Sequence, residues 1–204
     1  DPLYDLDTWA NAAYGSEGDD RRLAATRIRT AYDTEATTLD LSNLEITQLP
    51  LCLGKLNKLE RLDLFATLIT GVPESLGELT ELRYLELGCT SIEALPQSIV
   101  KLSKLDYLSF HTSRVSVIPE AISALSNLET LNACCCPIAH LPETMSQLVN
   151  LRIVYLGSTH IESFPESIGR LPRLEQLDLS DTPALTELIT TVTVSYTHLT
   201  LPTI

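Results

Sequence analysis

LRYLELGCTSIEALPQSIVKLSK (residues 82–104) runs without a gap into LDYLSFHTSRVSVIPEAISALSN (105–127), LETLNACCCPIAHLPETMSQLVN (128–150) and LRIVYLGSTHIESFPESIGRLPR (151–173). The four segments share one frame, LxxLxLxxTxIxxLPxxIxxLxx. Outward from them the register persists. Pro50, Pro73, Pro96, Pro119, Pro142 and Pro165 fall 23 residues apart, and Leu59, Leu82, Leu105, Leu128, Leu151 and Leu174 keep the same interval. A unit this short cannot cover its own apolar face and must stack on its copies, so the chain reads as a solenoid. Such a stack presents an extended face where a globule presents a cleft, which favours binding over chemistry.

Within a unit the short LxL stretch alternates apolar and polar, the period of a half-buried strand. Leu82, Leu85 and Leu87 should point inward, with Tyr84 and Glu86 outward. The proline then fixes φ and removes a donor, so pairing cannot continue there. Ile99 and Leu102 return at helical spacing to cover the other side. Each unit brings about seven inward apolar side chains at roughly 1.5–3 kcal/mol each when fully buried. Backbone groups inside each turn need partners. The column Thr67, Thr90, Ser113, Cys136, Thr159, Thr182 stands where hydroxyls, and one weaker thiol, can supply them.

This frame resembles the leucine-rich repeat, with Thr, Ser or Cys where asparagine is commonest. The resemblance implies an α/β fold: a solenoid with a curved parallel sheet on its concave side and short helices or turns on its convex side. About seven units are expected over residues 36–190.

Residues 1–35 lack the repeat and should form a helical cap over the first coil. Asp1–Pro2 is a good helix start, with Leu3, Leu6, Trp9 and Ala13 along one face. Gly15 to Gly18 read as a break. Asp19 or Asp20 then caps a second helix, RRLAATRIRTAYD, whose apolar members are Leu23, Ala24, Ile28 and Ala31. Trp9 is expected in the cap core. The tryptophan, the Gly/Glu spacer, the Arg-rich helix and the following TTLDLSNLEITQLP resemble the N-terminal cap of leucine-rich effectors of bacterial type III secretion systems, over residues 8–50. Units of 23 residues are more similar to effectors of plant-associated bacteria and to intracellular Ras-group solenoids. Some relatives carry a C-terminal ubiquitin-ligase domain with a Cys-x-Asp motif, and no Cys-x-Asp occurs here. At the other end Leu188 stands where the next proline is due. The tail TVTVSYTHLTLPTI (191–204) is similar to the translation of a sequencing adapter. The other reading is a β-rich cap formed by Val192, Val194 and Tyr196. If the tail is foreign, the last coil lacks a neighbour and its apolar end should promote aggregation.

The net charge of −13 over 204 residues, with a pI near 4.6, argues against a nucleic-acid partner, since phosphate binding needs a basic surface. A protein with a basic patch is the natural complement. No apolar run reaches the length of a membrane span, so no membrane insertion is expected. A monomer is expected if the chain is intact. Five cysteines without the paired pattern of extracellular repeats, and no Asn-x-Ser/Thr site, point to reducing conditions, that is, a cytoplasm. By resemblance, that cytoplasm is a host cell's, reached by secretion. Cys134, Cys135 and Cys136 alternate in direction and cannot grip one ion together, so neither metal nor cofactor is expected. His111, His140, His160 and His198 fall on different faces or ends and build no triad. No catalysis is expected within these residues, although the complete protein could include a ligase domain.

Stacked strands turn outward positions into columns. One reads Asp40, Asp63, Glu86, Ser109, Asn132, Tyr155, Asp178, and the preceding one Thr38, Arg61, Tyr84, Tyr107, Thr130, Ile153, Gln176. A third, just past the strand, contains Phe65, Gly88, His111 and Cys134. Carboxylates in register repel, so Asp40–Asp63–Glu86 reads as retained for binding. Arg61, Phe65, Tyr84, Tyr107 and His111 lie beside them, and Tyr155 and Asp178 extend the face. Aromatic residues with a charged flank suit an interface; the plainer reading is that sheet faces carry aromatics and an acidic chain must place its carboxylates somewhere. Three functions follow as expectations: a protein-recognition domain of a secreted effector, the substrate-selecting part of a ubiquitin ligase, or a Ras-group-type scaffold.

Overall fold

The computed structural model describes residues 2–162, 165, 168 and 171–183. The tail at 191–204 and its two readings lie outside them. Among the described residues the alternating LxL positions form seven short strands: β1 (Thr38–Asp40), β2 (Arg61–Asp63), β3 (Tyr84–Glu86), β4 (Tyr107–Ser109), β5 (Thr130–Asn132), β6 (Ile153–Tyr155) and β7 (Gln176–Asp178). They pair in parallel, in chain order, as one open sheet. The register is 23 throughout, for example Tyr84 beside Tyr107 and Asp63 beside Glu86. The fold is therefore a leucine-rich repeat solenoid, as the sequence implies.

Each strand ends in a tight turn. The residue three past its last position adopts a left-handed backbone, at Asn43, Ala66, Cys89, Thr112, Cys135, Ser158 and Asp181, with φ of 54–59°. None of these is glycine. After Pro50, Pro73, Pro96, Pro119 and Pro142 the chain makes a short 3-10 helix, such as Glu74–Glu78 and Gln97–Lys101, where the sequence suggested helical spacing. Proline at φ −65 to −71° sets up that turn and needs no donor. The turns pack closely: a side chain on Gly77 would put its Cβ 2.5 Å from the Ser98 Cβ of the next coil.

The core is a set of rungs. Leu62, Leu85, Leu108, Leu131 and Val154 are fully buried on one, and Leu41, Leu64, Leu87, Phe110, Ala133, Leu156 and Leu179 on the next. On the second rung the largest member, Phe110, is followed one coil on by the smallest, Ala133. The hydroxyl column works as the sequence suggests. Thr67, Thr90, Thr159 and Thr182 each donate to the carbonyl three residues earlier at 2.7–2.9 Å. Cys136 departs from this: its thiol donates across the coil boundary to the Phe110 carbonyl at 3.2 Å and lies 3.4 Å from the Ser113 hydroxyl.

Two helices, α1 (Leu6–Ala10) and α2 (Gly15–Asp33), precede β1. Trp9, Ala24, Ile28 and Ala31 are buried, as the amphipathic pattern suggests. Three expectations change. Gly15 to Gly18 are not a break but the first turn of α2, and Gly18 lets the helix approach the Ala13 carbonyl, which an added Cβ would meet at 2.6 Å. Neither Asp19 nor Asp20 caps the helix: Asp19 pairs with Arg22, and Asp20 accepts the Glu45 amide at 2.6 Å. Leu23 is exposed, one residue round the helix from the buried stripe. Arg21 fastens the cap to the first coil. Its buried guanidinium donates to the Trp9 carbonyl and Thr47 hydroxyl at 3.2 Å and pairs with Glu17 at 2.8 Å. Asp5 completes the seam by accepting the amides of Leu51 and Cys52 at 2.7 and 3.1 Å.

Candidate concave-face site

The side chains that alternate away from the core gather on the outward face of β1 to β4. Arg61 lies with its guanidinium carbon 3.5 Å from the Tyr84 ring centroid. Tyr84 and Tyr107 stack at 4.3 Å with planes 4° apart. Parallel strands at about 4.8 Å hold rings in register at this separation, so three rungs form one continuous stack. Alongside it, Phe65 and His111 pair at 5.9 Å, although they are two coils apart. Gly88 is the reason: an added Cβ there would fall 2.4 Å from the His111 ring nitrogen Nε2. Glycine clears the path by which His111 leans back towards Phe65.

Two expectations about this face need correction. Phe65, placed by the sequence on an outward column, is half-buried and packs against His111. Glu86, expected open to solvent, is buried at 7% exposure. Its carboxylate accepts the Gly88 amide at 2.6 Å and the Tyr107 hydroxyl at 3.2 Å, beneath the neighbours on either side. Burial, then the Glu86 charge, pushes the Tyr107 phenol well above its usual range, so it stays a hydrogen-bond donor.

The acidic column has a structural role that strand logic alone did not suggest. Asp40, Asp63, Glu86 and Asp178 each accept the amide two residues on, at 2.6–3.1 Å, and Asn132 does the same at 3.2 Å. Those amides lie just before the left-handed turn residues and have left the ladder, so a side-chain acceptor satisfies them. The bonds from Ser42, hydroxyl first and amide second, hold the Asp40 carboxyl below its usual range. Like-charge repulsion between rungs is therefore offset by charge-assisted bonds. Asp63 is also paired with Arg61 at 3.2 Å.

The structure thus brings Arg61, Asp63, Phe65, Tyr84, Glu86, Tyr107 and His111 together. Asp40 sits beside them on the first strand, where its backbone carbonyl accepts from Arg27 at 2.8 Å. Tyr155 and Asp178 lie half-buried on β6 and β7, apart from this group. The three adjacent thiols diverge: Cys134 half-buried on the face, Cys135 exposed on the turn, Cys136 inside. Burial pushes the Cys134 thiol up to about 11, so it is protonated at neutral pH and a poor nucleophile. Among the described residues no group of three or more His, Cys, Asp or Glu side chains is placed to hold a metal, and no helix is long and apolar enough to cross a membrane.

Residues 73–151 match the family described as Leucine-rich repeat region. No curated protein matches the chain. Among solved structures, an internalin from Listeria monocytogenes is similar at 19% identity with a TM-score of 0.72, over 95% of this chain and 57% of that one. A leucine-rich repeat protein from Leptospira interrogans is similar at 20% identity and 0.51, over 86% and 57%. The ectodomain of the plant membrane receptor kinase GASSHO1/SCHENGEN3 from Arabidopsis thaliana, solved in complex with Casparian strip integrity factor 2, is similar at 24% and 0.67, over 75% and 20%. The chain spans between a fifth and about three fifths of these proteins' lengths. At such identities the likeness is one of fold.

Proposed function

We propose that this chain is a protein-recognition domain that grips its partner with the N-terminal half of the concave face. The observation that carries the reading is the Arg61–Tyr84–Tyr107 stack with the Phe65–His111 pair beside it. These are large, pre-ordered rings on a rigid sheet, and ordering them in advance removes much of the entropy loss that binding would otherwise incur. Rings of this kind carry a disproportionate share of interface energy. The plant ectodomain of the same fold is itself found in complex with a partner. The net charge of −13 favours a partner with basic residues, drawn by the field of the whole molecule, since Asp63 and Glu86 are engaged within the chain.

The broader proposal is a host-target-binding domain of a secreted bacterial effector. It is supported by the two-helix cap with its buried Trp9 and Arg21, set directly before the first coil. Two measurements test these readings. In a pull-down from host lysate, the double variant Tyr84→Ala/Tyr107→Ala should lose the captured protein while keeping its circular-dichroism spectrum and cooperative melting. Retained capture would defeat the recognition site. Export from a bacterium should stop when its type III apparatus is deleted; continued export would defeat the effector reading and leave the recognition reading standing.

A further inference from the structure

The outward stack stops at Tyr107. One face of its ring is covered by Tyr84, and the next rung in register is Thr130, whose side chain is too short to span a phenol ring. Among the described residues no other ring and no cation lies over the second face. The following rung is Ile153, half-buried. Two strand spacings of about 4.8 Å separate Tyr107 from Ile153. That leaves room for one planar group between them at contacts of about 4 Å.

Charge decides which planar group fits. Asp106 and Glu129 directly precede Tyr107 and Thr130, on the edge of the same two rungs. Asp106 is half-buried and belongs to no ion pair among the described residues. Burial lifts its carboxyl above the usual range, Arg83 draws it back, and the charge of Glu129 adds to the rise. Glu129 lies 3.6 Å from Arg152, but Arg152 is engaged more closely by Glu175, at 2.9 and 3.0 Å. The slot therefore has an aromatic wall on one side, and one residue before its two rungs stand two carboxylate residues that are only partly neutralised, joined through the Glu129 amide and the Asp106 carbonyl at 2.8 Å. Two rungs away, Arg61 over Tyr84 shows what this surface does with a guanidinium.

We propose that the open face of Tyr107, above Thr130 and beside Asp106 and Glu129, seats an arginine side chain of the recognised protein. The inference rests on the recognition reading above and names the group that site takes. A guanidinium stacks flat on a ring and donates in a fixed fork to carboxylates, whereas a lysine ammonium lacks the plane and is more strongly hydrated. A partner aromatic would extend the stack but leave Asp106 and Glu129 unmatched.

The test uses a random peptide library displayed on phage and panned against the full chain. Recovered peptides should share an arginine, and replacing it with lysine should weaken binding about tenfold in titration calorimetry. Thr130→Trp, which fills the slot from the half-exposed rung without touching the core, should abolish binding while melting stays unchanged. Asp106→Asn combined with Glu129→Gln should weaken binding and flatten its salt dependence. Peptides that need Tyr84 and Phe65 but share no arginine, or that bind Thr130→Trp equally well, would overturn this inference and leave the recognition reading intact. Peptides indifferent to every concave-face variant, or no binders at all, would overturn both.

Discussion

Thr112 has a β-branched side chain in a left-handed turn, with φ of 54°. Its Cβ crowds the following carbonyl, a strain of about 1–2 kcal/mol that asparagine tolerates far better. Thr112→Asn should therefore raise stability by about 1 kcal/mol in urea denaturation, and an unchanged midpoint would refute the assignment of strain. Cys136 offers a second single-residue test. Threonine there would donate to the carbonyl three residues back, as its four column-mates do, and free Ser113 to bond Phe110. Cys136→Thr should stabilise by about 1 kcal/mol, whereas a lower midpoint would mean the cross-coil thiol bond is the better one. At this scale the period of 23 made every rung legible, including the register that sets Tyr84 beside Tyr107, but not the Phe65–His111 pair, which skips a coil. The burial of Glu86 was not legible. It depends on Tyr107 closing over it and on His111 crossing the space above Gly88, contacts between coils that alternation along one strand does not encode. The carboxylate column was misread for a related reason: its bonding partners are amides two residues on, past the strand's end.

Strands and post-proline turns could be read from one unit, because alternation and the missing donor act locally. The cap was harder. Two glycines looked like an interruption, yet Gly18 serves a close approach inside α2, and only the packed structure reveals that need. The seam between α2 and the first coil yields the prediction that belongs to elements. Arg21→Ala would strand the Trp9 carbonyl and leave Glu17 held by Thr47 alone, and should remove about 1–3 kcal/mol. The same seam should be sensitive to acid. The Thr47 hydroxyl above all, then the Arg21 bond, holds the Glu17 carboxyl below its ordinary 4.5, against the opposing effect of burial. A carboxyl lowered on folding contributes fully above that pH, and the contribution is lost as acid titrates the folded state. Trp9 is the only tryptophan, so its fluorescence should report the loss below about pH 4.5, and Thr47→Val should make that region of the profile shallower. A profile identical in Thr47→Val and the parent would rule the seam out as the acid-labile element.

Across the molecule, each coil packs chiefly on its neighbours, with the Phe65–His111 pair reaching one coil further, so stability should behave nearly as a chain of nearest-neighbour terms. In hydrogen exchange, Arg21→Ala should lower the protection of amides in β1 and β2 while leaving β4 and β5 near their original values. Uniform loss across all strands would mean the stack opens as one unit. The architecture was legible at this scale from the outset because a strict repeat admits few other folds, whereas individual differences between coils were not. The Phe110–Ala133 pairing is one such difference. Delete the coil holding Ala133, and Phe110 would abut Leu156 with excess volume; delete the coil holding Phe110, and Leu87 would face Ala133 across a void. Recombination between homologous repeats, which lengthens or trims such arrays readily, should be blocked at this junction, so the order of these two coils is locked in although their consensus is shared.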